Sequence, residues 1–257
     1  MPETTRGHAL SKTQRNIGLA LLVLVLALLA FMALRPDSAA VTTETATEGK
    51  RQADASAQAA GADQVVAFLG DSYTAGVGAS PGRAWPDLLA SSLGWDSYKS
   101  FAHGGTGYAT AVTKNAMRVC GLDQCPSYAE VLPRVIDYAP TLVIVSGGRN
   151  DTRRTVEQVE TGAKRLFESL SAALPEATVV VTSPIWDARE HPAKLDRLTA
   201  VIRLAAADSN ATYLDLGEPF AGKPELITGD LVHPNDAGYE LLARTVAKGL
   251  VDSGIAD

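Results

Sequence analysis

The sequence has few of the residues from which metal centres and nucleic-acid interfaces are built. It contains only two cysteines and four histidines in 257 residues, and these are too few and too scattered for a structural zinc site. Basic side chains are not in excess either, since the formal net charge is −6, so no nucleic-acid partner is indicated. The composition therefore predicts a globular protein without a metal or other cofactor.

One long apolar run stands near the N-terminus. Residues 17–34, IGLALLVLVLALLAFMAL, carry no charge and follow several basic residues. The run is at the lower limit for a membrane span and is longer than a usual signal-peptide core. Because the basic residues precede it, residues 1–16 are expected in the cytoplasm and the remainder outside. We therefore predict a single-pass protein of the cell membrane with its folded domain outside, the alternative being secretion after cleavage near Ala40.

The segment after the apolar run has a different composition. Residues 35–62 are rich in Ala, Thr, Ser, Glu and Gln and have almost no large apolar side chain. Such a segment cannot bury enough apolar surface to fold, so it is predicted to be a flexible linker. The folded domain is then expected to span residues 63–257.

Export changes the interpretation of the two cysteines. Cys120 and Cys125 enclose only four residues, one of them glycine, in a segment that reads as a surface loop. Outside the cytoplasm such a pair is expected to form a local disulfide. The alternative is a pair of reduced thiols without a role.

From residue 64 onward, short apolar segments alternate with helical patterns. Apolar residues spaced by three and four predict helices at 156–173, 195–205 and 239–250. The strand candidates are rich in Val, Ile and Leu without alternation, as in parallel strands that are buried on both faces. This alternation predicts an α/β fold, a three-layer α/β/α sandwich with a parallel sheet of about five strands. The five strand candidates are 64–70, 97–102, 141–148, 177–184 and 211–216.

The first of these strands ends in Gly-Asp-Ser, which places Ser72 at a carboxyl end, where α/β folds bind ligands. A serine hydroxyl needs a base to become a nucleophile. His233 is the best candidate, and Asp230, three residues earlier, can orient its imidazole. The alternative for these side chains is a set of turn and helix-capping residues.

Two further segments could stabilise the negative charge of an acyl-transfer intermediate. Asn150 follows the strand at 141–148 and has a side-chain amide. The stretch FAHGGTGYAT adds Gly104, Gly105 and Gly107, whose backbone amides could approach a substrate closely. Both segments could instead be ordinary turns.

Taken in order, these blocks resemble the SGNH hydrolases, also called the GDSL esterases and lipases. FLGDSYTAG resembles the family's first block, Gly148-Arg149-Asn150-Asp151 its third, and Asp230-Leu231-Val232-His233 its last. The resemblance implies a flavodoxin-like fold, Ser72, His233 and Asp230 as catalytic residues, and an oxyanion hole from Ser72, Gly107 and Asn150. His103 stands where the family often has asparagine, so Gly104 and Gly105 remain alternatives to Gly107.

The resemblance implies a serine esterase that acts on small-molecule or glycan esters with short acyl or O-acetyl groups. Three alternatives remain. An O-acyltransferase of envelope glycans would use the same residues, and a non-catalytic envelope binding protein would use none of them. A metal-dependent hydrolase would need Asp71, Asp151 and His233 to cluster. The sequence does not indicate an oligomeric state.

Overall fold

The computed structural model describes residues 64–257. The predicted cytoplasmic segment, membrane segment and linker, residues 1–62, lie outside the described residues. Within residues 64–257, none of the helices has both the length and the apolar character that crossing a membrane requires.

The described residues build a sheet of five parallel strands in the order β2-β1-β3-β4-β5. Their bounds are β1 Val65–Gly70, β2 Ser97–Ser100, β3 Leu142–Ser146, β4 Thr178–Thr182 and β5 Thr212–Leu214. All five lie within the segments that the sequence predicts as strands. β3 is buried along its whole length and β1 is buried after Val65, because helices cover both faces of the sheet.

Six helices accompany the sheet in the described region. Two of them, α1 and α6, pack on one face, and α3, α4 and α5 pack on the other, which confirms the predicted three-layer sandwich. Their bounds are α1 Trp85–Leu93, α2 Ala116–Cys120, α3 Tyr128–Asp137, α4 Val156–Ala173, α5 Ala193–Asp208 and α6 Asp236–Asp252. The periodic stripes predict α4, α5 and α6. The helices α1, α2 and α3 are found only in the structure.

The two cysteines form a disulfide, as predicted. Cys120 and Cys125 are bonded, with their Cα atoms 6.0 Å apart. The segment is not the simple loop expected from the sequence, because Cys120 ends the short helix α2. A backbone bridge between Val112 and Cys125 closes the same segment, with N–O distances of 3.0 and 2.9 Å.

The order of the strands decides where a ligand can bind. β1 lies between β2 and β3, so the chain leaves β1 toward one edge of the sheet and later returns on its other side. Crossovers that diverge in this way leave a crevice at the carboxyl ends of the central strands. Gly70 at the end of β1 pairs with Ser146 at the end of β3, so the residues after these two strands face the same crevice.

Candidate active site

Ser72 lies in a tight turn directly after β1. Gly70 allows this turn, because a Cβ atom at that position would come within 2.6 Å of the Ser146 carbonyl oxygen. The chain then coils back, and the amide of Val77 donates to the carbonyl of Ser72 at 2.9 Å. The Ser72 residue is only 7% exposed. The turn therefore holds this serine at the floor of the crevice.

Asp71, the residue before the serine, is buried and supports the site. Its Oδ1 atom accepts the amide of Tyr73 at 3.0 Å, and its Oδ2 atom lies 3.5 Å from the Nδ2 atom of Asn150. Burial raises the pKa of Asp71 to about 6, although the Tyr73 amide and the charge of Arg149 act in the opposite direction. The carboxyl group thus links the serine turn to the loop after β3.

The raised pKa of Asp71 predicts a measurable dependence of stability on pH. Because the folded state binds this proton more tightly than the unfolded chain, the stabilisation is complete below the ordinary pKa of 3.8 and is lost as the pH rises through about 6. We expect the free energy of unfolding of the wild type, relative to that of Asp71→Asn, to fall by about 2 kcal/mol between about pH 4 and 7. Urea unfolding of both proteins across this range measures the difference. If the difference in free energy of unfolding between the two proteins does not change with pH, the pKa of Asp71 is not raised in the folded protein.

His233 and Asp230 lie together in the loop before α6. The Nδ1 atom of His233 is 2.6 Å from Oδ2 of Asp230. The other oxygen, Oδ1, accepts the amides of Val232 and His233 at 2.9 Å each and the hydroxyl of Thr228 at 2.7 Å. Leu231 has a φ of 62°, which folds the carboxylate back toward the ring at a cost of about 1 kcal/mol.

These hydrogen bonds decide the ionisation of Asp230. Partial burial acts to raise its pKa, but the hydrogen bonds from His233, Thr228 and Val232 outweigh it and lower the pKa well below the ordinary value. An ionised Asp230 accepts the proton on Nδ1 of His233. The other ring nitrogen, Nε2, is then free to act as a base.

The serine loop and the histidine loop pack against each other. The hydroxyl of Tyr73 donates to the carbonyl of Val232 at 2.5 Å, and the rings of Tyr73 and His233 have centroids 5.9 Å apart. Within residues 64–257 no hydrogen bond joins the Ser72 hydroxyl to the His233 ring. Such contacts are often long without substrate and tighten only when the substrate binds.

Asn150 follows β3 and lies at the same end of the sheet as Ser72 and His233. It lies in a short 3₁₀ turn, Arg149–Arg153, and its Nδ2 atom donates to the carbonyl of Thr106 at 3.0 Å. The structure therefore brings Ser72, Asn150 and the Asp230–His233 pair to one end of the sheet. Their catalytic roles remain predictions.

Gly107 makes two contacts within its own loop, and its role as an oxyanion donor stays a prediction. Its amide donates to the carbonyl of Thr110 at 2.9 Å. Gly107 also packs closely, because a Cβ atom there would lie 2.6 Å from Cγ of Asp151. Gly105 has a φ of 75° and lines the same cleft as Asn150. Its amide has no backbone acceptor among the described residues, so Gly105 is the better candidate.

Asp151 explains how the glycine-rich loop keeps its shape. This buried carboxylate accepts the amides of Tyr108 and Ala109 at 2.9 and 3.0 Å and the hydroxyl of Thr110 at 2.7 Å. Burial raises its pKa, with these hydrogen bonds acting against the shift. Among residues 64–257, no group of three His, Cys, Asp or Glu side chains is placed to hold a metal ion.

A buried ion cluster braces the site and is not recognisable from the sequence. Asp187, which follows β4, binds Arg149 at 2.7 Å and Arg189 at 2.6 Å. Burial acts to raise the pKa of Asp187, but the two guanidinium groups lower it to about 2. Arg149 also stacks 4.1 Å from the ring of Trp186 and lies 3.3 Å from the hydroxyl of Tyr73. The cluster therefore supports the tyrosine that contacts the histidine loop.

The sequence and the fold of this chain are similar to those of known proteins. The chain is 29% identical over 191 residues to GDSL lipase Rv0518 of Mycobacterium tuberculosis, covering 71% of this chain and 79% of that protein. Its fold is similar to that of the psychrotrophic esterase EstA from Pseudoalteromonas sp., with a TM-score of 0.58, 21% identity, and coverage of 74% and 98% of the two chains. A family two carbohydrate esterase from Cellvibrio japonicus gives a TM-score of 0.55 at 18% identity, covering 74% of this chain and 61% of that one.

The match to a whole family agrees with these relatives and confirms the resemblance drawn from the motifs. The model of the GDSL-like Lipase/Acylhydrolase family matches residues 68–241, a range that includes the serine turn, the loop after β3 and the Asp230–His233 pair. The chain belongs to the GDSL-like lipase/acylhydrolase family, whose members are hydrolases that act on esters.

Proposed function

We propose that this protein is a serine esterase that hydrolyses carboxylic esters through an acyl-enzyme on Ser72. The observation that carries the proposal is the ordered Asp230–His233 pair on a loop that packs against the serine turn. An imidazole whose Nδ1 atom is held by a carboxylate is suited to remove a proton from a neighbouring hydroxyl.

The proposed reaction has two halves. The Oγ atom of Ser72 attacks the ester carbonyl carbon while its proton passes to Nε2 of His233. The tetrahedral intermediate collapses, the bond to the alcohol oxygen breaks, and the alcohol leaves with the proton from His233. Water then attacks the acyl-serine with His233 again as base, and the acid is released.

The negative charge of each intermediate needs nearby donors. The backbone amides of Ser72 and Gly105 and the side-chain amide of Asn150 are the proposed donors. Removing one donor of this kind commonly lowers kcat by about 10²-fold or more. The Asp230 carboxylate stabilises the imidazolium that forms when His233 takes the proton.

We also propose that the enzyme works outside the cytoplasm, held to a membrane by residues 17–34. The charge-free apolar run and the basic residues before it support this proposal. The disulfide supports it as well, since such bonds persist mainly in oxidising compartments. Recovery of the full chain in the soluble fraction without detergent would contradict the anchor.

The test of the esterase proposal uses the purified full-length chain. We expect hydrolysis of 4-nitrophenyl acetate and labelling by a fluorophosphonate probe, with the adduct found on Ser72 by peptide mass spectrometry. Hydrolysis without an adduct on Ser72 would overturn the mechanism. Neither hydrolysis nor labelling would favour a binding protein, and acetyl transfer to an added oligosaccharide in preference to water would favour an acyltransferase.

A further inference from the structure

A cleft of about 820 Å³ opens beside the proposed oxyanion donors. Gly105 and Asn150 line it, together with the segment 110–119 and the turn that follows β3. An ester whose carbonyl oxygen points toward Asn150 would therefore extend part of its structure into this cleft. The side chains that line the cleft therefore influence which esters the site binds.

The wall of this cleft is strongly basic. Five of its fifteen lining residues are Lys or Arg, and none is Asp or Glu. In the whole chain the balance is the reverse, with 29 acidic residues against 23 basic ones. A cleft lined by charge of one sign concentrates the field inside it and attracts ligands of the opposite sign.

Three of the five cations are free to bind a ligand. Arg149 is already paired with Asp187, and the Nε atom of Arg154 donates to Thr110 at 3.4 Å. Lys114, Arg118 and Arg153 form no ion pair with any carboxylate of residues 64–257. These three side chains are exposed, so their charges are available at the surface of the cleft.

The segment that carries two of these cations is held in place. The bridge between Val112 and Cys125 and the bond between Cys120 and Cys125 close the segment on both sides of Lys114 and Arg118. A closed segment loses less conformational entropy when a ligand binds than an open loop does. The backbone positions of Lys114 and Arg118 are therefore held at the wall of the cleft.

We propose that the ester hydrolysed at this site carries an anionic group, a carboxylate, sulfate or phosphate, which Lys114, Arg118 and Arg153 bind. The proposal rests on the proposed hydrolysis at Ser72 and specifies its substrate class. A hydrogen bond to a charged group contributes enough to change kcat/KM by about tenfold or more. The anionic ester should therefore be preferred over a neutral ester of the same shape.

The test compares matched esters with the full-length enzyme. The first pair tests a charge on the alcohol part of the ester and compares 4-acetoxybenzoate with methyl 4-acetoxybenzoate. The second pair tests a charge on the acyl part of the ester and compares mono-4-nitrophenyl glutarate with 4-nitrophenyl pentanoate. We expect one anionic ester to exceed its neutral partner by about tenfold or more in kcat/KM, and the pair that shows the preference identifies which half of the substrate enters the cleft.

The double variant Arg118→Gln, Arg153→Gln should bring the ratio of kcat/KM for the anionic ester to kcat/KM for its neutral partner close to one. Lys248→Gln is the control, because Lys248 lies in the last turns of α6 and does not line the cleft. In the wild type, added NaCl should reduce the preference by screening, which tests the proposal even if the double variant is unstable.

Two outcomes distinguish a failure of the anionic-substrate proposal from a failure of the esterase proposal. If the neutral esters are hydrolysed at least as fast as the anionic ones, or if the preference survives in the folded double variant, the anionic substrate is wrong and the esterase stands. If no ester of either pair is hydrolysed, the esterase proposal itself fails.

Discussion

Replacing Ser72 with alanine should lower kcat/KM for 4-nitrophenyl acetate by about 10⁴-fold or more. The substitution removes only the Oγ atom, so His233, Asp230 and Asn150 keep their positions, but no acyl-enzyme can form. Any remaining activity would come from water activated by His233 next to the oxyanion donors. Steady-state kinetics and loss of the fluorophosphonate adduct measure the same change independently.

The control for this variant is a serine of the same loop. Ser80→Ala changes an exposed hydroxyl at the end of the turn and should retain wild-type kcat/KM. Because Ser72 is nearly buried but donates to no group that the structure records, Ser72→Ala should also keep the wild-type melting temperature. If Ser72→Ala is as active as Ser80→Ala, Ser72 is a turn residue and the nucleophile lies elsewhere.

The sequence predicts the sheet well because the sheet leaves a local signal. β1, β3 and β4 lie between two layers of helices, so both faces of each strand are apolar and the segments read as continuous Val, Ile and Leu runs. The helices α1 and α2 leave a weaker signal, since they have nine and five residues and are too short for a clear periodic stripe. Long helices such as α4 are predicted and short ones are missed.

The sequence predicts those residues of the candidate site that a local pattern marks. The Asp230–His233 pair forms within one loop, and Ser72 and Asn150 follow strands that turn out to be neighbours. The loop of Gly107 has contacts that the sequence does not predict, because Asp151, 44 residues later, accepts the hydroxyl of Thr110, whose carbonyl accepts the Gly107 amide. No local pattern records such a contact, and the same holds for Arg149 and Asp187, which are 38 residues apart.

The second large effect is expected at Asp187, whose loss should destabilise the fold by about 3–5 kcal/mol. Its side chain is fully buried and the side chain of Arg149 is 9% exposed, so Asp187→Ala leaves a buried guanidinium without its carboxylate. For a domain of this size the change corresponds to a decrease in melting temperature of about 10 °C. Urea unfolding at neutral pH gives the free energy directly.

Two further variants show whether the unpaired charge of Arg149 causes the loss of stability in Asp187→Ala. The Arg189 side chain is 58% exposed, so Arg189→Ala removes the second partner of Asp187 at a cost of about 1 kcal/mol or less. In the double variant Arg149→Met, Asp187→Leu both charges are gone, and most of the lost stability should return, since apolar residues of similar size replace buried ion pairs at little cost. If the double variant is as unstable as Asp187→Ala, the loss comes from packing around Trp186 and Tyr73 and not from an unpaired charge. If instead its stability returns while its kcat/KM stays low, the cluster is needed to position Tyr73 against the histidine loop.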